Sequence, residues 1–176
     1  MIIEKPKGWS DLEFIRNFLY LRISDECNCM DDVLEIGCGN GMGLQQKGPP
    51  LIAKKVKSYL GVDKAKWKNP PFDFIHGDIF EAGLGKYDVV IALYVIQYVD
   101  KDRLFELVSR ALKPTGIAFF SGGKAWNDTE AALECLKKHF NNIRISKVKD
   151  GMIVSVKEEG DGIFCMVSND ASLVLQ

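Results

Sequence analysis

Val33-Leu34-Glu35-Ile36-Gly37-Cys38-Gly39-Asn40-Gly41 is an apolar run that stops abruptly in three glycines alternating with small or polar residues. It predicts a buried strand delivering the chain into a ligand loop. A glycine has no Cβ, so the backbone can turn sharply with positive φ and let a ligand approach main-chain atoms. Glycine alternation directly after a buried strand marks a nucleotide-like site at the strand's carboxyl end. The spacing is Gly-x-Gly-x-Gly, with Met42 where a dinucleotide fingerprint needs its third glycine and Gly43 one residue too late. A pyrophosphate-bearing dinucleotide is therefore disfavoured. A tight strand-to-helix turn with no ligand would have the same composition, so the rest of the chain must decide.

A chain of 176 residues is of ordinary size for one domain with its own core. Its 47% hydrophobic and 27% charged residues are those of a soluble globular protein. No apolar run approaches the roughly 20 residues of a membrane span. Met1-Ile2-Ile3-Glu4-Lys5-Pro6-Lys7 is too short and too charged for a signal peptide, so a cytoplasmic protein without membrane contact is expected. Lysine and arginine total 23 against 24 acidic residues, which leaves no basic field to concentrate nucleic acid. Lys54-Lys55-Val56-Lys57, the densest basic patch, reads as the solvated face of a helix. The five cysteines, at 27, 29, 38, 135 and 165, have no C-x-x-C spacing, so reduced thiols and no metal site are expected. Cys38 supplies a small side chain to the glycine loop, a packing role rather than a nucleophile's.

Along the chain, Ser10-Asp11-Leu12-Glu13 has the spacing of a capping box. Leu12, Ile15 and Leu19, then Phe14, Phe18 and Leu21, recur at helical intervals and predict a helix over 11–22. Gly48-Pro49-Pro50 reads as an interruption before a lysine-rich helix over 51–58 and a strand over Tyr59-Leu60-Gly61-Val62. The span from Val33 to Asp63 is about the 30 residues of one strand-helix-strand unit, which puts Asp63 at the tip of the neighbouring strand. Its carboxylate could accept from both hydroxyls of a ribose, or could cap a following helix. Asp78 lies just past another strand, Phe72–His76, where it could accept from an exocyclic amine while the N–H of Ile79 donates to a ring nitrogen.

Tyr87-Asp88-Val89-Val90-Ile91-Ala92-Leu93 is a near-continuous apolar run, the mark of a strand buried on both faces. A helix opens at Asp100-Lys101-Asp102 and ends at Lys113-Pro114-Thr115-Gly116, followed by a strand over 117–121. Asn127-Asp128 caps a helix carrying Ala132, Leu133, Leu136 and Phe140, and strands over 143–149, 152–157 and 163–168 close the chain. The fold expected is α/β: a single-domain, Rossmann-like, doubly wound sheet, mostly parallel with an antiparallel C-terminal hairpin region. Residues 1–30 would form the N-terminal helix and lead-in, 31–121 the core, and 122–176 the C-terminal helix and hairpins.

Taken in order, Glu35-Ile36-Gly37-Cys38-Gly39-Asn40-Gly41, Asp63, Gly77-Asp78 and the Tyr87–Val99 segment with Leu112-Lys113-Pro114-Thr115-Gly116 resemble the class I S-adenosylmethionine-dependent methyltransferases. The resemblance covers residues 31–121, with the terminal hairpins fitting the family's last strands. It implies S-adenosylmethionine as cofactor and S-adenosylhomocysteine as product. Gly37, Cys38, Gly39 and Gly41 would meet the methionyl part through main-chain atoms, and Glu35 would hold the turn and the amino group. Asp63 would bind the ribose hydroxyls, Asp78 and Ile79 would lie at adenine, and Lys64, Ala92 and Leu93 would also contact the cofactor. The chain departs from the family where a Glu-His pair is often found, since Gln97-Tyr98 stands there. Asn69-Pro70-Pro71-Phe72 resembles the motif of enzymes that methylate exocyclic amines, but it precedes the third strand instead of following the fourth and reads as a chance turn.

Displacement at a sulfonium demands mainly that nucleophile and methyl be held close and in line, so no fixed catalytic residue need be visible. Tyr94, Gln97 and Tyr98 are the candidates for polar assistance, against the plainer role of wall residues. The expected function is methyl transfer to an O, N or S atom of a small molecule or of a partner protein. The alternative is a cofactor-binding module with no turnover of its own, or one completed by a partner chain.

Overall fold

In the strand Asp32–Ile36 (β1), Val33 is buried in one hydrophobic layer and Leu34 in the opposite one. Both faces of the sheet are therefore covered, as a parallel sheet requires. This computed structural model describes residues 11–39, 48–123, 128–149, 152–154, 162–170 and 172. The further strands are β2 (Ser58–Asp63), β3 (Asp73–His76), β4 (Tyr87–Leu93), β5 (Leu112–Gly122), β6 (Asn142–Lys149), β7 (Met152–Val154) and β8 (Gly162–Ser168). They form one eight-stranded sheet in the order β3-β2-β1-β4-β5-β8-β6-β7. β1 to β5 run parallel, while β8 pairs antiparallel with β5 and β6, and β7 antiparallel with β6.

Helices α1 (Asp11–Glu26) and α2 (Gly48–Ala53) cover one face. Ile15, Leu19, Tyr20 and Ile23 of α1 pack there with Ile52 of α2 and with Val33, Ile91 and Phe119 of the sheet. Helices α3 (Lys101–Ala111) and α4 (Thr129–Lys137) cover the other, where Leu104, Phe105, Val108, Ala132 and Leu136 meet Leu34, Val90 and Phe120. Asp100 caps α3 by accepting from the Arg103 N–H at 2.9 Å, and Asp128 caps α4 by accepting from the N–H groups of Glu130 and Ala131.

Several boundaries differ from the sequence expectations. The first helix runs on to Glu26, and Leu21 is 44% exposed while Tyr20 takes a fully buried place. The Ile15–Leu19–Ile23 stripe sets the inward face, and Leu21 lies roughly 200° around the helix from Leu19. Pro49 and Pro50 do not interrupt but sit in the first turn of α2, where a missing N–H removes no intrahelical bond. The lysine-rich stretch after Ala53 turns instead of continuing as a helix, and Ser58 already belongs to β2, its N–H donating to the Asp31 carbonyl at 3.3 Å. Lys113-Pro114-Thr115-Gly116 is not a separate turn before the strand. It is the irregular start of β5, whose register against β4 shifts between Tyr87 and Val89. Phe140 follows α4 instead of riding on it, yet is buried in the same cluster. The expected turns at 150–151 and 160–161 lie outside the described residues.

At the amino ends of the strands, the Lys113 ammonium bridges Asp32 and Asp88 at 2.8 and 2.6 Å. The opposite, carboxyl ends are left for ligand. Strand order reverses between β1 and β4, since the chain leaves β1 toward β2 on one side and returns to β4 on the other, and such a switch point opens a crevice.

Candidate functional site

The carboxyl ends of β1, β2, β3 and β4 surround a cavity of about 470 Å³, within the size range of small-molecule sites. Its first wall is the turn after β1. The Gly37 N–H donates to the Val62 carbonyl at 2.8 Å, carrying the β1–β2 ladder one residue past the strand. Gly37 and Gly39 have φ of 72° and 87°, the left-handed region that glycine enters without strain. A Cβ on Gly37 would stand 2.3 Å from Cγ2 of Val95, so the turn also passes too close to the β4 end for any side chain.

Asp63, the last residue of β2, is tied to that turn. Its Oδ2 accepts from the Gly39 N–H at 2.7 Å and its Oδ1 from the Ala65 N–H at 2.7 Å. No helix follows it, so the capping role that the sequence left open does not apply. Each carboxylate oxygen keeps a lone pair for a further donor on the cavity side. Asp78 follows β3 and accepts from the Phe80 N–H at 3.0 Å, while its other oxygen pairs with the Lys64 ammonium at 2.9 Å. The Lys64 hydrogen bond, then the Phe80 N–H, hold its carboxyl below the usual carboxylate range. Ile79 supplies a nearly buried apolar surface beside it.

On the β4 side, Leu93 is the last strand residue, and Tyr94 turns away with φ of 60°, its N–H donating to the Ser121 carbonyl at 3.0 Å. Ile96–Tyr98 then form a single 3-10 turn. Tyr94, Gln97 and Tyr98 all border the cavity, and Tyr98 stands at its mouth, 80% exposed.

Of the residues named from sequence, Gly37, Gly39, Asp63, Lys64, Asp78, Ile79, Leu93, Tyr94, Gln97 and Tyr98 line this one cavity. Gly41 lies outside the described residues. Ala92 is fully buried in the α3–α4 layer. Cys38 is buried below the turn, where its Sγ occupies the space beside Gly61, 2.8 Å from where a Cβ on that glycine would stand. Burial, then the charge of Glu35, push its thiol well above the ordinary range, which suits packing and not nucleophilic attack.

Glu35 is also buried and is not among the described residues that line the cavity. It is 1% exposed, and the hydroxyls of Tyr20 and Tyr59 each donate to one of its carboxylate oxygens. Burial, opposed by the Tyr20 hydrogen bond, pushes its pKa up to about 8. The same burial, with the nearby Glu35, pushes the Tyr20 hydroxyl well above its usual value. Sequence reasoning missed both tyrosines and Arg16 of α1, which reaches the cavity from the helix layer. The signal for the tyrosines was the acid itself, since a carboxyl two residues before a buried turn needs hydroxyl or amide donors.

Residues 11–143 match the family profile described as a methyltransferase domain. The chain belongs to that family. Among the curated relatives, malonyl-[acyl-carrier protein] O-methyltransferase of Calditerrivibrio nitroreducens is 31% identical over 103 residues, covering 52% of this chain and 38% of the relative. The chain spans between 38% and 53% of the length of the curated relatives it matches. Among solved structures, a TehB-like S-adenosylmethionine-dependent methyltransferase from Corynebacterium glutamicum superposes with a TM-score of 0.66 at 14% identity, covering 86% of each chain. Magnesium protoporphyrin IX methyltransferase from Synechocystis, solved with bound S-adenosylmethionine, has a TM-score of 0.59 at 18% identity over 90% of this chain and 80% of that one. The methyltransferase-domain chain thus has the class I fold that the sequence resemblance implied, and S-adenosylmethionine is the cofactor of its family.

Proposed function

We propose that the cavity at the carboxyl ends of β1–β4 binds S-adenosylmethionine and that the chain transfers its methyl group to an O, N or S atom of a small molecule or an exposed group of a partner protein. The observation that carries this reading is the convergence of the Gly37–Gly39 turn with two acids, Asp63 and Asp78, in one cavity of about 470 Å³. The residues fit the group: Gly37 leaves backbone bare at the cavity wall, Asp63 keeps acceptor capacity for ribose hydroxyls, and Asp78 beside apolar Ile79 suits the edge and face of adenine. When bound, the sulfonium supplies an activated methyl group that needs no covalent help from the protein.

The chain's own contribution is placement. Asp63 holds the glycine turn through Gly39, so the same carboxylate that would receive the ribose also sets the shape of the methionyl pocket. Tyr94, Gln97 and Tyr98 would form the acceptor side, excluding water and offering phenol or amide groups to the nucleophile. Transfer to an oxygen is the first chemistry to assay, because a relative carries the name of an O-methyltransferase.

Calorimetric titration with S-adenosylmethionine and S-adenosylhomocysteine tests the reading. Both should bind, and Asp63→Ala should weaken both by about 10- to 100-fold, the range expected for hydrogen bonds to a charged group. Absence of binding of either at millimolar concentration overturns it. Binding without methyl release across oxygen, nitrogen and sulfur acceptors would reduce it to a cofactor-binding module.

A further inference from the structure

Among the described residues, two cations border the cavity, Arg16 and Lys64. Lys64 is already paired with Asp78. Among the described residues no carboxylate lies within ion-pair distance of the Arg16 guanidinium, and its Nε is buried without a hydrogen-bond partner. Glu35, which feels the charge of Arg16, and the cavity acid Asp63 are otherwise engaged. Glu35 is held by the Tyr20 and Tyr59 hydroxyls, and Asp63 by the Gly39 and Ala65 N–H groups.

The guanidinium is nevertheless kept in place. Its carbon lies 5.6 Å from the centroid of the Tyr94 ring, a cation–π distance, and the helix that carries it is anchored on either side by buried Ile15, Leu19 and Tyr20. A positioned arginine with a buried, unsatisfied N–H at the wall of a cavity is incomplete without an acceptor. Its planar fork matches a carboxylate, which can take two parallel hydrogen bonds from it.

We propose that Arg16 is the carboxylate receptor of this cavity. The proposal rests on the cofactor reading above and adds to it a recognition element from outside the glycine turn and the acidic strand tips. A carboxylate can reach Arg16 from two sources, the amino-acid end of the cofactor or an acceptor that carries a free carboxyl group. Tyr94 then has a second role beside its place on the acceptor side, as the surface that holds the guanidinium.

Calorimetry on wild type, Arg16→Gln and Arg16→Lys separates the sources. The probes are S-adenosylhomocysteine, 5′-methylthioadenosine, which shares its adenine and ribose but lacks the amino-acid end, and then succinate and benzoate added to protein saturated with S-adenosylhomocysteine. A cofactor source predicts that Arg16→Gln weakens S-adenosylhomocysteine by about 10- to 100-fold and leaves 5′-methylthioadenosine within about twofold. An acceptor source predicts that both nucleosides bind within about twofold of wild type while succinate or benzoate binding is lost. Arg16→Lys, which keeps the charge without the fork, should fall between wild type and Arg16→Gln, and it decides the matter if Arg16→Gln does not fold. The proposal is overturned if neither substitution changes any of these affinities, or if both nucleosides weaken equally. If wild type binds neither nucleoside, the cofactor reading falls and the receptor falls with it.

Discussion

Glu35 shows how one residue can serve a site it does not touch. Its carboxyl is buried two residues before the glycine turn and is satisfied by two phenols, so the strand that leads into the cavity wall carries a buried polar cluster. With a pKa raised to about 8 in the folded chain against an ordinary value of 4.5, Glu35 holds a proton that the unfolded chain releases. The folded state therefore binds more protons between about pH 4.5 and 8, and the contribution is fully present below the lower value and lost as pH rises through the upper one. Thermal melts should show wild type losing stability from pH 5.5 to 8.5, and Glu35→Gln, which stays neutral, should show a flatter profile over the same window. Equal slopes would remove Glu35 as the titrating group.

Among the elements, the contact between the β1 turn and the β4 end is where local conformation and packing meet. Gly37→Ala must place a methyl group within 2.3 Å of Val95 Cγ2 and must hold φ of 72°, so two separate penalties act at one position. Destabilisation of about 2–4 kcal/mol is expected in urea unfolding, from overpacking plus left-handed backbone. Val95→Ala in the same chain should return the packing part and leave the backbone part of about 1 kcal/mol, a coupling that a double-mutant cycle measures directly. At α4, Asp128→Ala removes the acceptor for two N–H groups and should cost about 1 kcal/mol.

For the whole molecule, the defining property is a sheet covered on both faces. Phe119 and Phe120 are adjacent in β5, yet Phe119 is buried in the α1–α2 layer and Phe120 in the α3–α4 layer, where it meets Phe105 edge to face at 4.9 Å. Phe119→Ala and Phe120→Ala should each cost about 3–5 kcal/mol in denaturant unfolding. In a sheet with one solvated face, one of the two would be nearly silent. The strand run Tyr87–Leu93 made this arrangement legible, because a near-continuous apolar stretch can be buried only where both faces are covered. Helix boundaries were less legible, since Pro49-Pro50 can either stop a helix or start one and only the packing of α2 against α1 chose.

The linear chain by itself determined the alternation of strands and helices, the positions of the glycine turn and of the acids at strand tips, and the family resemblance. These depend on local rules, namely burial periodicity, the freedom of glycine and the spacing of one strand-helix-strand unit. Only the tertiary structure decided that Glu35 is buried away from the cavity lining, that Asp63 fastens the turn through Gly39, and that Arg16 reaches the same cavity from the first helix. Those facts are set by which residues the sheet order and helix packing bring together, and no short-range pattern encodes that.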